Sequence, residues 1–278
     1  MKINNHRLAH EDGSPLPFLA TPNMGGVMQP EYLIIHYTAA SNVDGVVTWF
    51  RNPQSQVSAH LVIGRDGGIT QVVPFNRIAW HAGKSQWDGR SGLNQFSIGI
   101  ELDNAGKLER VGSRWVSSAT KRVYPDDEVL VANHKQDNPG TPPSGWHEYT
   151  EAQIEATLAV GLLLLQRYAL KDVLGHEDIA PGRKSDPGPA FPMSSVRARL
   201  FGRHNDQAEI YLATTALNIR SGPGVGYPAL PGSPLPANTR LAVEEKQAVW
   251  WRVEVPDAAS DEAAQGWVHS RFLKPEAA

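Results

Sequence analysis

Two short runs of this chain are apolar from end to end, and each carries one residue that does not belong there. Tyr32 to Thr38 reads Tyr-Leu-Ile-Ile-His-Tyr-Thr, and Phe96 to Leu102 reads Phe-Ser-Ile-Gly-Ile-Glu-Leu. Continuous β-branched runs of this kind suit strands covered on both faces, so they predict central strands of a buried sheet. An isolated charge is costly in that setting, so His36 and Glu101 must each be paired, neutral or functional.

A second constraint lies at Gly175 to Phe191, which holds a His, several acids and a Lys among repeated Pro and Gly. Such a segment is neither helix nor central strand. It is a loop whose course is set by restricted backbone torsions, the kind that holds functional side chains in place.

Around these features the chain organises readily. Residues 1 to 30 show no period and predict an extended arm. Asp44 to Phe50 has helical spacing and is closed by Asn52-Pro53. His60 to Pro74 is two β runs about Asp66-Gly67-Gly68, a strong hairpin signal. Residues 103 to 148 are polar with four prolines and predict a long excursion near the site. Thr150 and Gln153 form a capping-box pattern, and Ile154, Leu158, Leu162, Leu165 and Ala169 form one apolar stripe of the helix that follows. After Arg203 the runs Ala216 to Gly224, Arg240 to Val243, Trp250 to Val255 and Gly266 to His269 are short strands at the spacing of a small barrel. The expected organisation is an arm over 1–30, a main domain over 31–203 and a small all-β domain over 209–275.

Composition excludes several classes. The net charge of -3 argues against a general nucleic-acid binder, and the absence of Cys removes disulfides and thiolate metal sites. The N-terminus has no apolar segment behind its positive charge, so no Sec signal peptide is expected. The default location is cytoplasmic, with delivery to the cell wall by a non-Sec route as the alternative. The longest apolar run, Ala159 to Leu165, is far below the roughly 20 residues of a membrane span.

His36, His176 and Asp186 are candidate metal ligands, because two His and one carboxylate leave a catalytic zinc one position for water. By spacing alone each His could equally be a satisfied structural residue. Glu101 is the candidate proton carrier or half of a salt bridge. Lys184, two residues before Asp186, either nears a bound substrate or is a solvated surface Lys.

Five stretches in order, Ile34 to Ala39, Ser58 to Gly67, Ala79 to Gly83, Ser97 to Glu101 and Gly175 to Phe191, resemble the type 2 N-acetylmuramoyl-L-alanine amidases. That zinc-dependent family includes AmpD-like enzymes, phage amidases and peptidoglycan-recognition proteins. The resemblance spans roughly residues 30 to 200. It implies an α/β (α+β) fold, a mixed central β-sheet flanked by helices. It implies one zinc ion per catalytic domain on His36, His176 and Asp186, with Glu101 and Lys184 as the catalytic pair. The expected reaction is hydrolysis of the amide between N-acetylmuramic acid and L-Ala of the stem peptide, in peptidoglycan or muropeptides. A catalytically inactive recognition protein and a zinc endopeptidase within the stem are the alternatives. His60, Trp80 and His81 fall in matched stretches as candidate substrate-binding residues, the two histidines either lining the groove or satisfying neighbours. Trp80 and Trp87 either offer apolar faces to sugar rings or serve ordinary packing.

Leu217 to Gly224, Trp251 to Val253 and Gly266 to Val268 are similar to bacterial SH3 domains, which implies a small barrel that either binds wall peptide or only packs on the catalytic domain. One departure bears on substrate. The cytosolic recycling enzymes of the family carry Arg where this chain has Gln56 and Gly92, which favours intact wall or larger fragments here.

Overall fold

In a computed structural model, which describes residues 1–40, 42–138, 140–201, 209–247, 249–255 and 265–276, the first thirty residues are tied down. They form a hairpin, β1 (Lys2–Asn4) with β2 (Arg7–Ala9), and a short strand, β3 (Met24–Val27). Polar side chains anchor them. Gln71 accepts from Leu8 N at 2.8 Å and donates to His6 O at 3.2 Å, while Asn23 donates to the carbonyls of Phe50 and Asn52. No apolar period marks this stretch in the sequence because side-chain amides hold it.

The first apolar run is β4 (Tyr32–Tyr37). It is followed by helix α1 (Val43–Arg51), the hairpin β5 (Leu61–Ile63) and β6 (Ile69–Gln71), β7 (Arg77–Ala79), a ribbon of β8 (Gln86–Trp87) and β9 (Arg90–Ser91), and the second run as β10 (Ser97–Leu102). Ile34 and Ile35 are wholly buried, each contributing about 1.5–3 kcal/mol of burial free energy. β7 pairs with β3.

Residues 103 to 148 are not a long loop. They fold into a five-stranded antiparallel sheet from β11 (Lys107–Val111), β12 (Arg114–Ser117), β13 (Val123–Tyr124), β14 (Val129–Ala132) and β15 (Ser144–His147), in the order β13-β12-β11-β15-β14. Its strands are only two to five residues long and are joined by polar turns, and a small cluster including Leu108, Trp115 and Tyr124 is buried, with Trp146 of β15 also buried, so no strand is long enough to show a period.

Helix α2 (Glu151–Tyr168) starts with the capping box expected at Thr150 and Gln153. Its buried face, however, is Gln153, Thr157, Leu158, Val160, Gly161 and Leu164, whereas Leu162 is 43% exposed and Ala169 is the left-handed cap at φ 50°. The helix turns its small residues inward because another helix needs the room. A Cβ on Gly161 would lie 2.7 Å from Leu200 Cδ2. β16 (Asp172–Gly175), the one-turn helix α3 (His176–Ile179) and α4 (Met193–Phe201) complete this part.

The central sheet has the order β16-β4-β10-β5-β6, with β16, β4, β10 and β5 parallel and β6 antiparallel at the edge. This mixed sheet with α1 and α2 is the α/β architecture expected. Parallel strands present their carboxyl ends together, where open α/β sheets usually place ligands. His36, Glu101 and His176 all lie at or just beyond those ends.

The chain divides into two compact units, Met1–Leu200 and Phe201–Ala278. The second consists of β17 (Glu209–Ala213), β18 (Arg240–Gln247), β19 (Trp250–Glu254), β20 (Gln265–His269) and β21 (Leu273–Pro275), an antiparallel sheet ordered β20-β19-β18-β17-β21. Leu217, Ile219, Leu241, Val253 and Val268 form its core. The run Ala216 to Gly224 is not a strand. It makes isolated bridges through Leu217 and Arg220 before its Gly and Pro residues turn the chain. The boundary expected at 203–208 lies outside the described residues. Among the described residues no helix is long and apolar enough to cross a membrane.

The cap of α2 gives a direct test. Thr150 Oγ1 accepts from Gln153 N at 3.2 Å and donates to Arg65 O at 2.6 Å. Thr150→Ala should destabilise the first unit by about 1 kcal/mol in denaturant unfolding.

Candidate metal centre and active site

Each functional side chain is delivered by a different piece of the sheet. His36 is the penultimate residue of β4 and pairs in register with Glu101 on β10, so the two side chains share a face. His176 opens α3 directly after β16, and Asp186 returns on the Pro-Gly loop ten residues later. Glu177 N donates to Asp186 O at 2.9 Å, which closes the loop and brings its two ends together.

The outcome is a convergence of three atoms. His36 Nδ1 lies 2.9 Å from His176 Nδ1, and Asp186 Oδ2 lies 3.0 Å from each. All three residues are buried, and among the described residues they are the group suited to holding a metal ion.

The outer ring atoms determine what the inner ones can do. His176 Nε2 faces Ala82 O at 3.1 Å, and a carbonyl only accepts, so that nitrogen carries the proton. His81 Nε2 faces Ser97 O at 3.3 Å, which leaves His81 Nδ1 to accept from His36 Nε2 at 2.9 Å. Burial holds His36 down at about 4, with His176 acting the same way, and burial also holds His81 far below the usual imidazole range. His36 is therefore neutral with Nδ1 bare, and donation from His176 Nε2 to Ala82 O turns the Nδ1 lone pair of that ring toward the same point.

Three lone-pair atoms with no proton of their own thus face one point, a donor set that fits a divalent cation. Ligand atoms about 2.0–2.2 Å from a tetrahedral zinc lie roughly 3.3 Å apart, close to these separations. The hydrogen bonds to Ala82 O and His81 are the outer contacts that fix ligand tautomers in metal sites.

Glu101 has a different environment. Burial, and next the Asp186 charge, push its carboxyl well above the usual range, while the Lys184 charge works against this. Among the described residues it is one of three with a buried side-chain atom lacking a hydrogen-bond partner, here Oε2. Among the described residues no salt bridge occupies it. Lys184 is half-buried on the ligand loop, and its charge is felt by both His36 and Glu101. The structure therefore brings His36, His176, Asp186, Glu101 and Lys184 to one place.

The remaining candidates are placed otherwise. His60 is completely buried, accepting from Gly99 N at 3.0 Å and donating to Arg77 O at 2.9 Å, so its ring serves its neighbours. His81 stands behind His36, in space that only a glycine leaves open: a Cβ on Gly99 would lie 2.5 Å from the His81 ring. Trp80 is half-buried, with its backbone bonded to Ser58. Trp87 lines a cavity of about 380 Å³ with Tyr32 and Lys171, at the start of β4, the opposite end from His36. Sequence reasoning missed Glu177 and His134, a buried pair at 2.6 Å beside the ligand loop. Nothing local to either marks it, since the two are 43 residues apart.

The fold and site together define an α/β protein with a His-His-Asp cluster suited to holding a metal ion, and a carboxyl whose Oε2 is buried and unpartnered among the described residues. A family model described as N-acetylmuramoyl-L-alanine amidase matches residues 26–189, more than half of the chain, and the chain belongs to that family. The 1,6-anhydro-N-acetylmuramyl-L-alanine amidase AmpD of Escherichia coli (strain K12) is 38% identical over 144 residues, covering 51% of this chain and 57% of that protein. N-acetylmuramoyl-L-alanine amidase AmiD of the same organism is 34% identical over 195 residues, covering 66% of this chain and 59% of that protein. The chain thus spans a little over half the length of these curated relatives. A crystal structure of a selenomethionine derivative of AmpD superposes with a TM-score of 0.51 at 28% identity, covering 72% of this chain and 99% of the other.

The buried imidazoles predict a pH dependence. His60 is pushed down to about 4 by burial, from an ordinary value of 6.5. The unfolded chain therefore takes up that proton first. The stability contributed by neutral His60 is full above pH 6.5 and is lost as pH falls toward 4. Between pH 7 and 5 the loss from His60 is about 2 kcal/mol. In denaturant unfolding of the metal-free chain, His60→Gln should flatten the pH dependence by that amount. An unchanged slope would contradict the placement.

Proposed function

We propose that this chain is a zinc-dependent peptidoglycan amidase that hydrolyses the bond between N-acetylmuramic acid and L-Ala of the stem peptide. The observation that carries this reading is Glu101: a half-buried residue with one buried, unpartnered carboxyl oxygen, in strand register with one member of the His-His-Asp cluster. Family membership and the names of the relatives support the choice of bond.

A zinc ion held by His36, His176 and Asp186 would supply Lewis acidity, making water a usable nucleophile near neutral pH and polarising the scissile carbonyl. Glu101 provides the proton traffic. In its ionised form, with proton affinity raised by burial, the Glu101 carboxylate can take a proton from the attacking water and return it to the departing nitrogen of L-Ala, as base and then acid. Lys184 carries its positive charge on the same loop as two of the ligands and offsets negative charge on the carbonyl oxygen. His81 keeps the Nδ1 of His36 bare, and Ala82 O does the same for His176.

The second unit fits the role of an SH3-like domain that binds wall peptide, with the catalytic domain over about 31–203 and the SH3-like one over about 209–275. The repeated Trp residues of β19 and the five-stranded antiparallel sheet support this assignment. Gln56 and Gly92, in place of the substrate-gripping Arg residues of the recycling enzymes, favour intact wall or larger fragments as substrate.

Digestion of purified sacculi and of soluble anhydro-muropeptides with zinc present, read by mass spectrometry, tests the reading. Free stem peptides beginning with L-Ala are expected, with greater release from sacculi. Shortened stems still attached to sugar would make the protein an endopeptidase, and no product at saturating zinc would make it a binding protein. Glu101→Gln should keep zinc affinity and lose about 10²- to 10⁴-fold in turnover. His176→Ala should lose both.

A further inference from the structure

We propose that His134, Lys135 and Gln136, which lie between β14 and β15, are positioning residues that set the affinity of the metal site by clamping the ligand loop. The proposal rests on the metal reading of His36, His176 and Asp186. It assigns to the sheet of residues 103 to 148 a function that the triad itself does not reveal.

The clamp closes on Glu177, the residue after ligand His176. Glu177 is 5% exposed, and its backbone N–H already holds Asp186 O, so it is the point where the two ligand-bearing ends of the loop meet. Its Oε2 accepts from His134 Nε2 at 2.6 Å and from Gly188 N at 3.2 Å, beyond the second ligand. Its Oε1 takes Lys135 Nζ at 2.8 Å. Lys135 also reaches Asp178 Oδ1 at 2.5 Å, and the other oxygen of Asp178 accepts from Gly175 N at 2.7 Å.

Gln136 completes the grip. Its Nε2 donates to Glu177 O at 2.8 Å, and its Oε1 accepts from Gly182 N at 2.8 Å. One segment therefore holds the start and the middle of the loop that carries His176 and Asp186 directly, and its end through the Glu177 carboxylate. His134 is itself oriented. Its Nδ1 accepts from Gln136 N at 3.2 Å, which leaves Nε2 to donate, and its ring stacks on Trp146 at 5.5 Å. Trp146 in turn fills the space beside Gly188, where a Cβ would lie 2.6 Å from the indole.

The physical consequence is preorganisation. Without the clamp, an incoming cation would have to order the loop itself, and that entropy would be subtracted from its binding free energy. Outer contacts of this sort change metal affinity by about ten- to a hundredfold.

Competition of zinc alone against a chromophoric chelator should show His134→Ala and Glu177→Gln binding about ten- to a hundredfold more weakly than the unmodified full-length chain, and Gln136→Ala several-fold more weakly. Cobalt(II) loaded in place of zinc should keep its absorption band positions in all three variants, because the ligand set is unchanged. Gln136 is exposed, so its variant reports even where loss of the buried His134 impairs folding. Affinities within twofold of the unmodified chain in the folded variants would overturn the clamp alone. Failure of the unmodified chain to bind zinc would overturn the metal reading and the clamp with it.

Discussion

Three atoms with lone pairs and no proton among them face one another at His36 Nδ1, His176 Nδ1 and Asp186 Oδ2. Left to themselves these groups repel, and burial denies them the water that would soften the repulsion. Much of the structure exists to hold them there. Ala82 O and the His81–Ser97 relay occupy the outer nitrogens, so the inner ones are left bare. A site arranged this way has its charge imbalance built in, and a cation resolves it.

The sheet makes this arrangement possible at small cost. Parallel pairing of β4 with β10 places His36 beside Glu101 in register, and pairing of β16 with β4 delivers the loop start one residue later. Two carboxyl groups then sit in one pocket with opposite fates. Asp186 Oδ2 faces both imidazoles at 3.0 Å, while Glu101, with Oε2 unpartnered, is left to burial and rises. That divergence separates a ligand from a proton carrier. Gly99 has a specific part in it, since the absence of its side chain admits the His81 ring behind His36.

The residues of the site were legible because each is a local anomaly. A His closing an apolar run, a Glu within another and a Pro-Gly loop with ionisable residues at both ends all stand out against ordinary patterns. Their convergence was not legible from spacing, since His36 and His176 are 140 residues apart, and the resemblance to a known family supplied it. The capping box of α2 could be read directly because cap chemistry is local. The helix's inward face could not: close approach of Leu200 requires glycine at 161, and Thr157 is buried with its hydroxyl donating to Gln153 O at 2.7 Å, so the buried face is not the apolar stripe. The sheet of residues 103 to 148 was hidden for a related reason. Strands such as Lys107–Val111 bury only one residue, and the contacts that matter, from His134 and Gln136 to Glu177 and Gly182, leave no periodic trace.

The central claim is that the two imidazoles present bare Nδ1 atoms to a cation, and nitrogen-15 spectra of the histidine side chains during a zinc titration test it most directly. The account predicts that one equivalent of zinc shifts the Nδ1 resonances of His36 and His176, with both rings protonated at Nε2. Zinc-loaded chain in which either ring is protonated at Nδ1, or in which zinc shifts other histidines and leaves these two unmoved, would contradict it.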